Sequence, residues 1–204
     1  RTNSYPFSRR NIRLALSKSI NRNLISKKVS YNLRNPLRNI VPPIFKESNQ
    51  DFWPEYNNKE ARILLEKEGY CNGKTLNFPL TYRSNVPSDK LISLIIQEDI
   101  KDKLSDCISI DINGVESTTM YENLSKGIYP AAIYDWTGLY SDPEAYLKPL
   151  LSCNEIVENI CKEGESVLSG SFWASKEIEN LFEESDSKVG NYRLNNLIKI
   201  EKIA

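Results

Sequence analysis

The chain of 204 residues is long enough for one domain with a substantial core, and its 40% hydrophobic and 26% charged residues are ordinary for a globular protein. It contains no histidine, which excludes Ser-His-Asp and Cys-His catalysis and histidine metal sites. Its 27 basic side chains balance 27 acidic ones. Because the chain begins at Arg1 and its single methionine is Met120, we expect a processed or partial chain, and any targeting segment would lie upstream of it.

The neutral total conceals a basic amino-terminal segment. The first acidic residue is Glu47, and the residues after position 46 carry 16 basic and 27 acidic side chains. Basic segments serve some proteins in binding nucleic acid or anionic membranes, but here basic and apolar residues alternate. We therefore favour folding of this segment against the acidic remainder, and keep a nucleic-acid-binding module of residues 1–46 as the alternative. The eleven basic residues are Arg1, Arg9, Arg10, Arg13, Lys18, Arg22, Lys27, Lys28, Arg34, Arg38 and Lys46.

The four cysteines, Cys71, Cys107, Cys153 and Cys161, lack the C-x-x-C spacing of zinc and thioredoxin-type sites. Without histidine, a metal site would need all four thiolates, and their wide separation disfavours one. Cys153 and Cys161 either close a short disulfide loop in an oxidising compartment or remain free buried thiols. We therefore predict no metal and no cofactor.

The amino-terminal third contains two helix patterns separated by a loop. Apolar residues four positions apart predict a first helix with one buried face, and the three prolines of residues 35–43 predict an extended loop. Asn57 followed by Glu60 is a helix start, and Gly69 is a helix end. The apolar positions are Ile12, Leu16, Ile20 and Leu24 in the first helix and Ala61, Leu64 and Leu65 in the second.

After residue 75, strand and helix patterns alternate, and no apolar run approaches the length of a membrane span. This order predicts an α/β layer architecture. The predicted strands are 76–82, 107–115 and 131–136, and the predicted helices are 87–100, 117–126, one beginning at Asp142-Pro143-Glu144, 176–184 and 192–204.

In α/β sheets, ligands bind beyond the carboxyl ends of the strands. The segment Trp136–Asp142 follows the third predicted strand, is aromatic and contains Gly138, so it is our candidate site. The sequence has no phosphate-binding glycine motif and no nucleophile elbow. We therefore predict no enzyme activity, although two acids converging in a closed pocket near Trp136 would revive a carboxylate mechanism.

Four segments, in order, carry a family resemblance. Residues 13–22, preceded by Pro6-Phe7, are similar to "PF…vRxAlsxAiDR", and residues 57–70 are similar to "yDpekAkaLLkeAGy". Residues 76–104 resemble a strand followed by an "iqedlk" helix, and residues 136–143 resemble "gWtgDyxDP". The pattern is that of the family 5 extracellular solute-binding proteins, which are the peptide, dipeptide and nickel receptors of ABC importers. The match covers nearly the whole chain.

The resemblance implies a type II periplasmic-binding-protein-like lobe in which helices flank a mixed sheet. Residues 1–204 would form a single lobe, most of the carboxy-terminal lobe of a two-lobed receptor, without the first lobe and the final return segment. Such a receptor binds a peptide or peptide-like solute between its lobes and delivers it to the importer permease. We expect no nucleic-acid partner, a periplasmic or extracytoplasmic location at the membrane face, and membrane association only through an upstream lipid anchor.

The predicted ligand-binding residues lie at the carboxyl ends of two strands. Trp136 either encloses a ligand or is a core residue, and Asp142 either contacts a ligand or caps a helix. Arg83 either pairs with a ligand carboxylate or is simply exposed, and Arg13 is interpreted as structural. The set is Trp136, Thr137, Gly138, Leu139, Tyr140, Asp142, Tyr82 and Arg83.

Two positions depart from the family pattern. In peptide-binding members, the acid three positions after the tryptophan pairs with the ligand's amino group, and Leu139 stands there in this chain. Because a buried ammonium without a carboxylate is costly, this predicts that a free peptide amino terminus is not bound in the usual way. Asn21 replaces the usual Asp of the first motif, which we interpret as a structural difference.

Overall fold

A computed structural model describes residues 1–45 and 51–204. Helices and strands alternate through the middle of the chain, and helices dominate its two ends. The elements are α1 Arg10–Ser19, α2 Arg22–Ser30, α3 Asn58–Lys67, β1 Leu76–Arg83, α4 Pro87–Leu104, β2 Ile108–Val115, α5 Ser117–Leu124, β3 Ala131–Ile133, α6 Glu144–Leu151, β4 Glu155–Val157, β5 Ile160–Glu163, α7 Glu165–Leu168, α8 Lys176–Asp186 and α9 Gly190–Ile203.

The predicted α/β class, with helices flanking a sheet, is confirmed. The main sheet has the order β2-β1-β3, and its strands run parallel because a helix connects each strand to the next. Antiparallel pairing occurs in the separate β4–β5 hairpin, so the mixed character lies in two sheets and not in one. Among the described residues, no helix is long and apolar enough to cross a membrane.

The largest core lies between the sheet and the helices that cover it. Buried residues of α1 and α3 pack with the apolar residues of β1, β2 and α4. Cys71 and Cys107, which precede β1 and β2, form a disulfide at the amino ends of these strands. The fully buried members of this core include Ile12, Ala15, Ala61, Leu65, Leu76, Ile100, Leu104 and Ile108.

A second core holds the helices that follow the sheet. It is built from Val41 and from apolar residues of α6, α8 and α9. The β4–β5 hairpin lies beside it, and a disulfide joins Cys153, just before β4, to Cys161 within β5. The buried members are Leu147, Leu151, Ile178, Phe182, Leu197 and Ile200.

The prediction of one continuous amino-terminal helix, made from the four-residue apolar spacing, is wrong. The chain breaks at Ile20, which has an extended backbone, and α2 begins after Asn21. The Asn21 side chain accepts a hydrogen bond from the Leu24 backbone N–H at 3.0 Å. Asn21 is therefore the N-cap of α2. Asn and Asp are both strong N-caps, so the replacement of the family's usual Asp by Asn keeps this role.

One predicted strand and one predicted helix are shorter in the structure, whereas α4 continues to Leu104, beyond the predicted residue 100. The third strand was predicted to reach Trp136 but ends at Ile133, because its neighbour β1 ends at Arg83 and leaves residues 135–136 without a partner. The helix predicted over 117–126 ends at Leu124. By contrast, α3 starts and stops as predicted, since Asn57 accepts from the Glu60 N–H at 3.1 Å and Gly69 has φ of +83°.

Candidate functional site

The candidate site lies at the carboxyl edge of the parallel sheet. In the β1–β3 pairing, Tyr82 faces Ile133, so Arg83 and the chain that follows β3 reach the same edge. The segment Trp136–Asp142 then runs from this edge to the start of α6. Much of it is open to solvent: Trp136 is 40% exposed, Leu139 85% and Tyr140 55%.

Trp136 is fixed at its polar end and open elsewhere. Its indole Nε1 donates to the carbonyl of Ala145 in α6 at 3.0 Å. The side chain is therefore neither a fully buried core residue nor a free one. A tryptophan held in this way presents a rigid apolar face at low entropic cost, which suits enclosure of a ligand.

Gly138 is required by the packing of this segment. A Cβ built at this position would lie 2.6 Å from a ring carbon of Tyr146, so any larger residue must displace that ring. Thr137 on one side and Leu139 on the other are exposed.

Burial and the nearby carboxylates of Glu144 and Asp142 raise the pKa of Tyr140, so its phenol is protonated at neutral pH.

Asp142 ties the segment to two helices. Its Oδ1 accepts from the Glu144 N–H at 2.9 Å, and Arg193 of α9 donates to Oδ1 and Oδ2, each at 2.8 Å. Burial opposes the charge, but the hydrogen bonds from Arg193 and Glu144 lower the pKa of Asp142 below its usual value. Its carboxylate is largely engaged within the chain, which supports the capping role over the ligand contact.

Arg83 is buried, which corrects the exposed alternative. Its Nε donates to Asp89 of α4 at 2.7 Å, and its Nη1 donates to Asp135 and, at 3.1 Å, to the Tyr121 hydroxyl of α5. These acceptors, Asp89 first, raise the pKa of the guanidinium. The positive charge is already matched inside the chain, which disfavours pairing with a ligand carboxylate.

Tyr82 is also buried, and it packs within the sheet. A Cβ at Gly114, its partner in β2, would lie 2.8 Å from the Tyr82 hydroxyl, so glycine is needed there. Arg13 has the structural role expected, since its Nη1 donates to the carbonyls of Phe7 and Ser8.

Sequence reasoning missed the residues that frame this edge. Asp89, Tyr121 and Asp135 surround Arg83, and Arg193 holds Asp142. One signal was available for Asp89: it follows the proline that opens α4 and stands in the first turn, where a carboxylate favours the helix dipole. The disulfide between Cys71 and Cys107 was also missed, although both residues precede strands that prove to be parallel neighbours.

The basic amino-terminal residues are divided among several partners. Arg9 pairs with Glu68, Lys18 with Glu60, and Arg38 with Asp51 and Glu55. Arg22 lies over the Trp53 ring at 3.9 Å. A nucleic-acid surface would need these side chains on one exposed face, so their pairing with later acids supports the compensation that we favoured. Lys46 lies outside the described residues.

Two surface cavities lie away from the predicted site. One, of about 320 Å³, is formed mainly by α2 and residues 34–37, and the other, of about 250 Å³, lies where Arg22 meets Trp53. None of the predicted ligand-binding residues lines either cavity. Within residues 1–45 and 51–204, no group of three cysteine or acidic side chains is placed to hold a metal ion.

Comparison with known proteins identifies the sequence pattern. Residues 1–158 match the family model "Bacterial extracellular solute-binding proteins, family 5 Middle". The chain is 27% identical over 154 residues to the periplasmic oligopeptide-binding protein OppA of Haemophilus influenzae, covering 72% of this chain and 28% of that protein. It is also 27% identical over 163 residues to heme-binding protein A of the same organism, covering 76% and 28%.

Solved structures share the fold. The complex of Haemophilus influenzae OppA with the peptide RPPGFSPFR superposes with a TM-score of 0.83 at 24% identity, covering 99% of this chain and 38% of that one. The Escherichia coli murein tripeptide-binding protein MppA gives 0.79 at 22% identity, with the same coverage. The chain thus spans less than a third of the curated relatives and about two fifths of these structures. It belongs to the family 5 bacterial extracellular solute-binding proteins, which are binding proteins and not enzymes.

Proposed function

We propose that residues 1–204 form most of the carboxy-terminal lobe of a two-lobed receptor for an ABC importer, and that the receptor encloses a peptide or peptide-like solute between its lobes. One observation carries the proposal: in a chain of this family, an aromatic segment is exposed at the carboxyl edge of the sheet. The short span of the relatives that the chain covers supports a second lobe elsewhere in the protein.

Within this proposal, the predicted residues divide into two roles. The faces of Trp136 and Tyr140, with the backbone around Thr137, Gly138 and Leu139, would meet the ligand. Arg83 and Asp142 would position the segment, since both are engaged by partners within the chain. Binding would involve no covalent step, and closure of the second lobe would exclude water from these contacts.

The relatives are named for oligopeptides, a murein peptide and heme, and we favour the peptide class. The chain has no histidine, its four cysteines are in disulfides and its one methionine, Met120, is buried, so these three common heme ligands are not offered to a ligand here. The raised pKa of Tyr140 opposes the tyrosinate form that would bind iron. Aromatic faces flanked by backbone groups suit an extended peptide.

The proposed location is outside the cytoplasm, at the face of the membrane where an importer takes up its substrate. Two disulfides support an oxidising compartment, and the relatives' names place several of them in the periplasm. Delivery to the permease, and attachment through a lipid anchor upstream of Arg1, belong to the same proposal.

Calorimetric titration of the complete gene product with short peptides tests the function. We expect peptide binding that Tyr140→Ala weakens by roughly fivefold, about 1 kcal/mol of lost aromatic contact. Tyr31→Ala is the matched control, since Tyr31 is an exposed tyrosine that follows α2, outside the proposed site. Peptide binding that is equally strong in both variants would refute the location of the site, and failure of all peptides to bind would refute the ligand class.

A further inference from the structure

We infer that Asp135 recognises a cationic group of the ligand, an ammonium held against its free carboxylate oxygen. The inference rests on the proposed function and names the charge that the same site selects. Leu139 stands where peptide-binding members have an acid, and Asp135 would supply a carboxylate to the site instead.

The geometry leaves one oxygen of Asp135 available. Asp135 lies between the end of β3 and Trp136, and its side chain is 71% exposed. Its Oδ1 accepts hydrogen bonds from Arg83 Nη1 and, at 3.4 Å, from the Tyr121 hydroxyl. No described residue donates a hydrogen bond to Oδ2. One oxygen of the carboxylate is therefore anchored, and the other has no hydrogen-bond donor among the described residues.

The charge balance of this cluster favours a cation. A single buried guanidinium, that of Arg83, lies between the carboxylates of Asp89 and Asp135. Asp89 is buried, receives the Nε hydrogen bond and stands in the first turn of α4, where the helix dipole also stabilises it. The excess negative charge therefore resides on Asp135, the exposed member of the pair.

Burial of Arg83 makes Asp135 a rigid acceptor. The Arg83 side chain is only 8% exposed, and its contacts with α4 and α5 fix the guanidinium. A carboxylate held in this way loses little freedom when a ligand binds. An ordinary surface aspartate would lose more freedom and select more weakly.

The other acids near the segment do not offer the same oxygen. Both oxygens of Asp142 accept from Arg193. Glu144 is buried and accepts from Arg193 and Lys148. Of these three acids, Asp135 is the one that is largely exposed and engaged through one oxygen only.

Matched peptides test the inference on the complete gene product. The probes are an alanine tripeptide with a free amino terminus, its N-acetylated twin, and an N-acetylated tripeptide containing one lysine. We expect the free-amine peptide to bind roughly tenfold more tightly than its acetylated twin, the lower range of a charge-assisted hydrogen bond. Tight binding of the lysine peptide as well would identify a side-chain ammonium as an equal source of the charge.

Asp135→Asn should remove this preference, so that the free-amine peptide and its acetylated twin bind the variant with equal affinity. Asparagine keeps an oxygen that accepts from Arg83, and the melting temperature of the variant checks its fold. Asp135→Glu keeps the charge and should retain part of the preference. Asp111→Asn, which alters an exposed aspartate of β2, is the control and should bind like the parent.

Equal binding of the free-amine peptide and its acetylated twin would overturn the role of Asp135 and leave the peptide-binding function standing. If Asp135→Asn still prefers the free-amine peptide over its acetylated twin, the role of Asp135 is likewise overturned and the peptide-binding function stands. If no peptide binds, the proposed function fails, and this inference fails with it.

Discussion

The sheet unit, α1–α5 with β1–β3, and the helical unit, α6–α9 with the β4–β5 hairpin, use the same devices at opposite ends of the candidate site. Each contains a disulfide and, beside the candidate site, an arginine between two carboxylates. Arg83 belongs to the sheet unit and holds Asp135, whereas Arg193 belongs to the helical unit and holds Asp142 and Glu144. The segment Trp136–Asp142 joins the two units.

The two arginine networks differ in how many carboxylate oxygens they leave without a hydrogen bond. Arg193 donates to both oxygens of Asp142, so at that end of the segment the carboxylate charge is matched within the chain. Arg83 is more deeply buried but occupies one oxygen of Asp135. The helical end therefore serves mainly to hold the segment, while the sheet end both holds it and presents charge to the solvent.

The largest expected difference between the units concerns their disulfides. The Cys71–Cys107 bond closes a loop with a sequence separation of 36, and the Cys153–Cys161 bond one of 8. Loop-closure entropy predicts losses of about 4 and about 2.5 kcal/mol in the free energy of unfolding when each pair is replaced by serine. Urea unfolding of the two double variants measures both losses. A larger loss for the hairpin pair would contradict the ranking.

Arg83→Met tests the network of the sheet unit. Methionine fills much of the volume but leaves Asp89 buried without its cation, so we expect a loss of about 3 kcal/mol in the free energy of unfolding. Arg62→Met is the control, because Arg62 makes an exposed bidentate pair with Asp106 and should cost less than about 1 kcal/mol. Similar losses in the two variants would mean that Arg83 does not organise the edge.

Arg193→Met makes the corresponding test in the helical unit. The variant leaves Asp142 and Glu144 without their shared partner, but Arg193 is more exposed than Arg83 and Lys148 still reaches Glu144. We therefore expect a smaller loss, about 2 kcal/mol. Urea unfolding beside the Arg83→Met protein gives the comparison, and a greater loss for Arg193→Met would reverse the roles of the two networks.

Glu201 gives the smallest effect and one that depends on pH. This residue of α9 accepts from the Val41 N–H at 2.7 Å, and burial raises its pKa. A raised pKa in the folded state means that folding favours the neutral carboxyl. Burying the charged form therefore destabilises the fold fully at pH values above the raised pKa of the folded state. This destabilisation is absent at pH values below the ordinary glutamate pKa. Glu201→Gln should therefore stabilise the protein at pH 7 by less than about 1 kcal/mol, because the charge is removed.

Unfolding of the parent and of Glu201→Gln at pH 7 and pH 4 checks the sign. The advantage of the variant should shrink as the pH falls, since the parent carboxyl then becomes neutral. A variant that is less stable than the parent at pH 7 and equal to it at pH 4 would show that the charged form is favoured.

Local signals in the sequence predicted most elements of the sheet unit. Asn57 and Gly69 bound α3, and Pro87 opens α4, because capping and φ restriction act over a few residues. The break at Ile20 could not be seen in the sequence, because the apolar spacing continues from α1 into α2. The β4–β5 hairpin was not predicted, since its strands are only three and four residues long.

The candidate site was predicted from the sequence, but the ion pairs that surround it could not be. The strand order and the aromatic segment pointed to the edge at Trp136. The partners of Arg83 stand 6, 38 and 52 positions away along the chain, and Arg193 stands 51 positions from Asp142. Only tertiary structure brings such residues together, so whether an arginine is free or already paired could not be judged from sequence.

The central claim is that the ligand lies against Trp136. The most direct measurement is ¹⁹F NMR of the complete gene product labelled with 5-fluorotryptophan, with the Trp136 resonance assigned by its loss in Trp136→Phe. We predict that a peptide shown to bind by calorimetry shifts this resonance, because the half-exposed indole becomes enclosed. A peptide that binds and leaves the Trp136 resonance unmoved would contradict the claim.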